Sequence, residues 1–272
     1  MFGYGNGVSV VSVVPEVKFA DIKYFAESPF DTFEMIPRNF DTDYDGAIKR
    51  EFKAMCAGTG KRAISYHIPF KHEDDLSNPA DDVRKRAMDR FMFLLDEAVG
   101  FKSEIIVLHP SAEPVAPETR ERRIELMREA MDAVEGELRS RGQRLALEFL
   151  PRSCMGNTLD DILRMLDGFS DTFGCCADVN HLMGQFDEIP AMVRALGSRL
   201  ITLHLSDYDG VDERHWIPQP GAGVINWPEF MKALREINYR GPFNLETKCE
   251  VDLDIQTRIR NLDNSHKWLL SL

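Results

Sequence analysis

The sequence lacks the features of a membrane-spanning or disulfide-stabilised chain. No apolar run approaches the ~18 residues that a bilayer-crossing helix needs, and no basic segment followed by an apolar core resembles a secretory signal. The five cysteines contain no CxxC pair, and an odd number of cysteines is typical of free thiols in a reducing compartment. We therefore predict a soluble, cytoplasmic protein without a membrane partner.

Motifs for nucleotide binding and serine nucleophiles are also missing. The chain contains no GxSxG, no GxxxxGK[ST] and no GxGxxG between a strand and a helix. Basic residues are outnumbered, with 33 Lys and Arg against 45 Asp and Glu, and the formal net charge is −12. Because this charge repels phosphate backbones, it argues against a nucleic-acid partner and favours a small neutral or metal-chelated ligand.

Short β-rich segments alternate with amphipathic segments about eight times along the 272 residues. This alternation is typical of βαβ units and a parallel sheet, and a TIM barrel commonly needs roughly 250 residues. We therefore predict one (β/α)₈ TIM-barrel domain over residues 1–272. The predicted strands are 8–14, 32–36, 63–68, 104–109, 145–150, 174–179, 200–205 and 242–246.

Helical periodicity is clearest over residues 81–99 and 117–140. Thr158-Leu159-Asp160-Asp161 resembles a capping box and predicts a helix start after the fifth strand, and another helix is predicted to begin at Pro228. The longest irregular stretch, 206–226, follows the seventh strand. Active-site loops of such barrels lie on that side, so we predict that this loop shapes the substrate site.

Ionisable residues stand at the carboxyl ends of six consecutive predicted strands. Closure of the sheet would direct all six toward one cleft. Burying an unpaired carboxylate such as Glu148 or Glu246 in an apolar strand is costly unless a cation compensates for it. Such a mixed oxygen and nitrogen donor set suits Mn²⁺, Mg²⁺, Co²⁺, Fe²⁺ or Zn²⁺. The six residues are His67, His109, Glu148, Asp178, His204 and Glu246.

Further histidines fall into two groups. His181 follows Asp178 in an Asp-x-x-His pattern and can reach the same cavity, either as a ligand or behind one. In the loop Asp212-Glu213-Arg214-His215, the two acids are equally compatible with solvated charge, whereas Arg214 and His215 are candidates for substrate contacts. His72 and His266 are interpreted as solvent-facing residues without a role.

Together the motifs resemble the xylose-isomerase-like TIM barrels, the superfamily of sugar phosphate isomerases and epimerases that is related to endonuclease IV. The resemblance rests on Leu147-Glu148, Asp178-Val179-Asn180-His181, His204-Leu205-Ser206-Asp207, His215, Pro220-Gly221-Ala222-Gly223-Val224-Ile225-Asn226-Trp227 and Leu245-Glu246. It implies that Glu148, Asp178, His204 and Glu246 bind one divalent ion, and that the two glutamates transfer protons. It also implies that His181 and Arg214 hold substrate hydroxyl groups. The predicted substrate-binding residues are His67, His109, His181, Arg214 and His215.

The endonuclease branch of that superfamily uses three zinc ions. Its extra ligands resemble His67, His109, His181, Asp212 and His215, which could therefore hold additional metal. This chain differs in having two residues between Asp212 and His215, where the nuclease pattern has one.

The leading hypothesis is a metal-dependent isomerase or epimerase of a sugar or sugar derivative. It would abstract a proton alpha to a carbonyl and form a metal-stabilised enediolate. The alternatives are a metal-dependent keto-acid dehydratase or lyase, an endonuclease IV-like multi-zinc phosphodiesterase, and a barrel that only binds a ligand. The predicted partner is a small carbohydrate-like molecule, and a homo-oligomer is compatible with the sequence.

Overall fold

The computed structural model describes residue 3 and residues 5–272, except for the side chain of Met183. Eight parallel strands form a nearly closed barrel with helices between them, which confirms the predicted single-domain (β/α)₈ fold. Each strand pairs with its sequence neighbours, β1 also pairs with β8, and a parallel bridge between Leu205 and Leu245 completes the ring. The strands are β1 Asn6–Ser9, β2 Thr32–Met35, β3 Arg62–His67, β4 Ile105–Leu108, β5 Arg144–Glu148, β6 Phe173–Asp178, β7 Leu200–His204 and β8 Phe243–Leu245.

The helices pack around the barrel with their apolar faces inward. Thr158 caps helix α6, Leu159–Leu166, as predicted, because its Oγ1 accepts a hydrogen bond from the Asp161 amide at 3.2 Å. Asn226 caps helix α8, Trp227–Glu236, in the same way, so that helix begins one residue before the predicted Pro228. The helices are α1 Val10–Val13, α2 Ile22–Glu27, α3 Ala47–Thr59, α4 Asp81–Phe101, α5 Arg120–Ser140, α6 Leu159–Leu166, α7 Ile189–Leu196, α8 Trp227–Glu236 and α9 Ile255–Ser271.

The first predicted strand, 8–14, is wrong in its second half. β1 ends at Ser9, and Val10–Val13 form the single turn α1. Val10 and Val13 are fully buried, and the hydroxyl of Ser12 accepts a hydrogen bond from the Thr247 amide at 2.8 Å. Contacts to the neighbouring β8 loop therefore override the strand propensity of this valine-rich run.

The interior of the barrel explains why the ionisable residues converge. A small buried cluster of Ile105, Val107, Ala146, Cys176 and Ile201 is separate from the main core under the helices. Because side chains alternate along a strand, His109 lies on the same face as Val107, Glu148 on that of Ala146, and Asp178 on that of Cys176. The inward-facing apolar layer thus continues into polar residues at the carboxyl end.

His266 was expected to face solvent, and this prediction is wrong. The residue is fully buried on α9, and its Nε2 donates a hydrogen bond to the carbonyl of Gly7 at 2.8 Å. Its ring lies 5.9 Å from Phe30 and 5.7 Å from Phe243 between ring centroids. The histidine therefore connects the last helix to the first strand.

Among the helices of the described residues, none combines the length and the apolar character that a bilayer crossing demands.

Candidate metal-binding site

Glu148, the last residue of β5, lies at the centre of the polar cluster and is 1% exposed. Its Oε2 lies 3.0 Å from His67 Nε2 and 3.1 Å from His109 Nε2. Its Oε1 lies 3.3 Å from His204 Nδ1 and 3.4 Å from His181 Nδ1. One carboxylate thus faces four imidazoles that arrive from β3, β7 and the segments after β4 and β6.

Four side chains form a compact set of donors at the same place. One donor atom from each of Glu148, Asp178, His204 and Glu246 lies within 4.8 Å of every other. His204 Nδ1 is 2.7 Å from Glu246 Oε2 and 3.8 Å from Asp178 Oδ2. The Oδ2 atom of Asp178 is buried and has no hydrogen-bond partner within the described part of the chain. A buried carboxylate oxygen that accepts no hydrogen bond and lies beside three further donors is what a cation would satisfy.

Two further groups of donors surround this set. One consists of His67, Glu148 and His204, and the other consists of Asp178, His181 and His215. The His181 and His215 ring centroids lie 5.3 Å apart. The structure thus brings eight of the predicted residues together: His67, His109, Glu148, Asp178, His181, His204, His215 and Glu246.

Burial and the neighbouring charges determine whether His67 and His109 are protonated. Burial alone would lower the pKa of His67, but the hydrogen bond and charge of Glu148 outweigh it and raise the pKa to about 9. Burial lowers the pKa of His109, and the charge of His67 adds to that effect. His67 therefore carries the proton, and His109 is the neutral partner of the same carboxylate oxygen.

The two glutamates remain ionised for a related reason. Burial would raise the pKa of Glu148, but His109 and His204 hold it well below the usual range. Burial would likewise raise the pKa of Glu246, and the adjacent His204 lowers it instead. Both carboxylates are therefore bases at neutral pH.

Glu213 was not among the predicted site residues, yet it contacts both His181 and His215. Its Oε1 lies 3.4 Å from His181 Nε2 and 3.3 Å from His215 Nε2. Arg152 forms an ion pair with the same carboxylate and also binds Glu113 at 2.8 Å. This chain of charges joins the loops that follow β4, β5 and β7. Because one residue separates Glu213 from His215, the spacing of the nuclease pattern is met by Glu213.

Asp212 and Arg214 are placed differently from the other predicted residues. The side chain of Asp212 is 60% exposed and forms an ion pair with Arg214 at 2.8 Å, outside the donor groups. Arg214 lines the cavity, but it is half exposed and also pairs with Asp209 at 3.3 Å. The hydrogen bonds of the loop amides to Asp209 turn this segment outward at Asp212.

Glu34 of β2, a fully buried acid, was also absent from the predicted site residues. Its Oε2 accepts a hydrogen bond from the Ser65 hydroxyl at 2.8 Å. Its Oε1 lies 2.9 Å from His204 Nε2, although the two atoms are not aligned for a hydrogen bond. His204 thus has its Nδ1 toward the donor set and its Nε2 toward Glu34. The signal was available, since Glu34 is a carboxylate inside an apolar strand, as Glu148 is.

A cavity of about 610 Å³ opens above these residues at the carboxyl ends of the strands. Its floor includes Glu148 and Glu246, and Phe70 stacks on His109 with ring centroids 4.4 Å apart. Phe70 is 55% exposed, so its other face is available to a ligand. The cavity size falls in the range of small-molecule sites, roughly 300–1,000 Å³.

The chain is similar to known proteins along nearly its whole length. The family model for the xylose isomerase-like TIM barrel matches residues 22–272. An uncharacterized protein of Methanocaldococcus jannaschii is 27% identical over 255 residues, which cover 89% of this chain and 83% of that protein. The structure of D-psicose 3-epimerase with D-tagatose from Clostridium cellulolyticum H10 has a TM-score of 0.78, 21% identity and 98% coverage of both chains. A crystal structure of D-psicose 3-epimerase in the presence of D-fructose has a TM-score of 0.81, 19% identity and 97% coverage of both chains. At these identities the structural matches show a shared fold.

Proposed function

The chain belongs to the xylose isomerase-like TIM barrel family, and on that premise we propose that it is a divalent-metal-dependent isomerase or epimerase of a sugar or sugar derivative. Several structural neighbours are sugar epimerases, which supports the reaction class. The observation that carries the proposal is the donor set of Glu148, Asp178, His204 and Glu246, of which the two glutamates line the cavity.

The donor set fits a divalent cation in chemistry and in spacing. Three carboxylates and one imidazole match the preferences of Mn²⁺, Mg²⁺, Co²⁺, Fe²⁺ and Zn²⁺. Metal–ligand bonds of about 2.0–2.2 Å would place two donors on opposite sides of an ion some 4 Å apart. The four donor atoms lie within 4.8 Å of one another, which is close to that spacing. Glu34 behind His204 supports the assignment, because a carboxylate commonly faces the second nitrogen of a ligating histidine. When bound, the cation would act as a Lewis acid that lowers the cost of negative charge on adjacent carbonyl and hydroxyl oxygens.

Glu148 and Glu246 are the proton-transfer residues of the proposed reaction. They arrive from β5 and from the end of β8, on different sides of the barrel, so a substrate carbon between them is exposed to a base on each face. The ionised carboxylate of one glutamate removes the proton alpha to the carbonyl, and the other returns a proton. Return on the opposite face inverts the carbon, which is epimerisation.

The surrounding residues bind and orient the substrate. The cavity lining includes the proposed substrate contacts His67, His109, His181, Arg214 and His215. His181 Nδ1 donates a hydrogen bond to the Phe149 carbonyl at 2.9 Å, which fixes the ring with its Nε2 facing Glu213. Phe70 lines the same cavity and stacks on His109.

The proposal is tested by solvent-deuterium exchange in the metal-loaded protein with a panel of ketoses. We expect deuterium at the carbon next to the carbonyl, and Glu246→Gln should reduce exchange by about 10²- to 10⁴-fold, as for loss of a general base. Glu121→Gln on the outer helix α5 is the matched control and should exchange normally. Undiminished exchange in Glu246→Gln would remove Glu246 from the mechanism, and loss of water from the substrate would favour the dehydratase alternative.

A multi-zinc phosphodiesterase is the second candidate, and one observation favours it. Asp178, His181 and His215 form an additional donor group, and Glu213 faces both histidines. Elemental analysis of zinc-loaded protein separates the candidates, since one ion per chain supports the isomerase and three ions support the phosphodiesterase. The net charge of −12 opposes a nucleic-acid substrate.

A further inference from the structure

The cationic side chains around the cavity differ in whether they are neutralised. Arg152 binds Glu113 and Glu213, and Arg214 binds Asp209 and Asp212. Arg38 and Lys248 line the same cavity and are exposed. Within residue 3 and residues 5–272, neither of these two side chains has an ion-pair or hydrogen-bond partner.

The two unpaired cations come from one sector of the rim. Arg38 follows β2 in the short 3-10 helix Pro37–Phe40, and Lys248 follows β8. Strands β8, β1 and β2 are adjacent in the sheet, so both residues stand over the same part of the barrel. The backbone amide of Lys248 donates a hydrogen bond to the His215 carbonyl at 2.8 Å, which anchors this segment to the loop after β7.

The charge distribution orients an anionic ligand along the cavity. Glu148 and Glu246 line the floor, and the buried Glu34 and Asp178 add negative charge nearby. Arg38 and Lys248 leave positive charge at one side of the mouth. Only Thr247 separates Glu246 from Lys248 in the chain, so their Cα atoms are at most about 7 Å apart. A substrate whose carbonyl end lies at the floor therefore places its far end near these cations.

We propose that Arg38 and Lys248 form a subsite for an anionic group, a phosphate ester or a carboxylate, at the end of the substrate remote from the carbonyl. The proposal rests on the proposed function for the orientation of the substrate. Arg38 offers a planar fork of donors and Lys248 a point charge, and both bind phosphate or carboxylate oxygens through charge-assisted hydrogen bonds. The floor carboxylates exclude the reverse orientation by repulsion.

The subsite is tested by titration calorimetry of the metal-loaded protein with glycerol, D-glycerate and glycerol 3-phosphate, none of which requires turnover. We expect one of the two anions to bind at least about tenfold more tightly than glycerol, as a charge-assisted contact predicts. The double variant Arg38→Gln/Lys248→Gln should lose that preference, and Lys85→Gln, an exposed cation on α4, should keep it. A phosphate subsite is indicated by glycerol 3-phosphate and a carboxylate subsite by D-glycerate. Equal binding of all three, or a preference that survives the double variant, would overturn the proposal.

A second measurement keeps this test separate from that of the reaction. Deuterium exchange is compared for D-fructose, D-fructose 6-phosphate and D-fructuronate, and kcat/KM should favour an anionic ketose by at least about tenfold in the wild type. In the double variant this ratio should approach one. Exchange without any anionic preference would overturn the subsite and leave the isomerase intact. Anion binding that depends on Arg38 and Lys248, without exchange in any ketose, would contradict the proposed reaction and support the subsite.

Discussion

The carboxylate of Asp178 provides the sharpest test of the donor set, because one of its buried oxygens accepts no hydrogen bond from the residues that the structure describes. Asp178→Asn removes the negative charge and offers an amide nitrogen that cannot bind a cation. We expect the variant to fold and to lose most of its bound metal, measured as metal per chain after gel filtration. Asp212→Asn makes the same chemical change at an exposed site and should retain full metal content. Unchanged stoichiometry in Asp178→Asn would count against the ligand assignment.

Glu34 is expected to act through His204 and not as a ligand. It faces the imidazole nitrogen that points away from the donor set and is itself held by Ser65. Glu34→Gln should weaken metal affinity by about 10- to 100-fold, the usual effect of losing a carboxylate behind a ligating histidine. A competition titration with a chelating dye measures the dissociation constant, with Glu121→Gln as control. An affinity equal to that of the wild type would show that Glu34 has only a structural role.

The contrast between Glu148 and Glu34 shows what sequence patterns can predict about a site. Glu148 ends an apolar strand, so the position at the barrel rim and the cost of burial point to it together. Glu34 lies one residue before the end of β2, and its importance depends on the contact with His204, which is 170 positions away in the chain. Glu213 could not be singled out from the sequence, because the turn at Asp209 decides which acid of the loop faces inward. Contacts across the barrel and the direction of loop turns depend on the tertiary structure, so local sequence patterns do not predict them.

The helix α9 carries a pH-dependent contribution to stability through His266. Burial lowers the pKa of His266 to about 4, although the hydrogen bond to the Gly7 carbonyl acts in the opposite direction. Asp263 and Asp31 are the nearest charged groups that affect it. The unfolded chain takes up the proton at a pKa of about 6.5, so the neutral ring stabilises the fold above that pH. This stability is lost as the pH falls from about 6.5 to about 4.

We therefore expect His266→Gln to reduce the acid sensitivity of the free energy of unfolding. Gln can still donate a hydrogen bond to Gly7 but does not titrate. Between pH 7 and pH 4 the wild type should lose up to about 3 kcal/mol more than the variant. Urea unfolding at several pH values measures the difference. A wild-type and variant difference that is constant over this range would contradict the linkage, whatever the mean stability of the variant.

The elements themselves were largely predictable, and the errors lie at their ends. Apolar runs bounded by polar residues marked all eight strands, because strands buried on both faces are nearly continuous in hydrophobic residues. The strand predicted from Val8 stops at Ser9, where the pairing with β2 and β8 ends and α1 begins. The prediction that His266 faces solvent was wrong because helical periodicity in α9 does not reveal that Phe30 and Phe243 lie beneath the helix. The residues that pack against a given helix or strand are determined by the closed barrel and not by the local sequence.

Closure of the barrel brings together carboxylates from opposite parts of the chain. Glu34 comes from β2, Glu148 from β5, Asp178 from β6, and Glu246 from the end of β8. These acids lie in a desolvated layer, where like charges repel and the histidines partly compensate. A bound cation would relieve this repulsion and connect the carboxyl ends of β5, β6, β7 and β8. Because the unfolded chain has no such donor set, metal binding should stabilise the entire fold.

The last prediction is therefore a thermal shift on metal binding. Metal at about 1,000 times its dissociation constant adds about 4 kcal/mol, which for a domain of this size corresponds to an increase in Tm of roughly 8–16 °C. Differential scanning fluorimetry of protein stripped with a chelator and then reloaded with Mn²⁺ measures the shift. Asp178→Asn should show little of it, and Asp212→Asn should show all of it. If stripping and reloading leave the Tm of the wild type unchanged, the donor set does not hold a metal that supports the barrel.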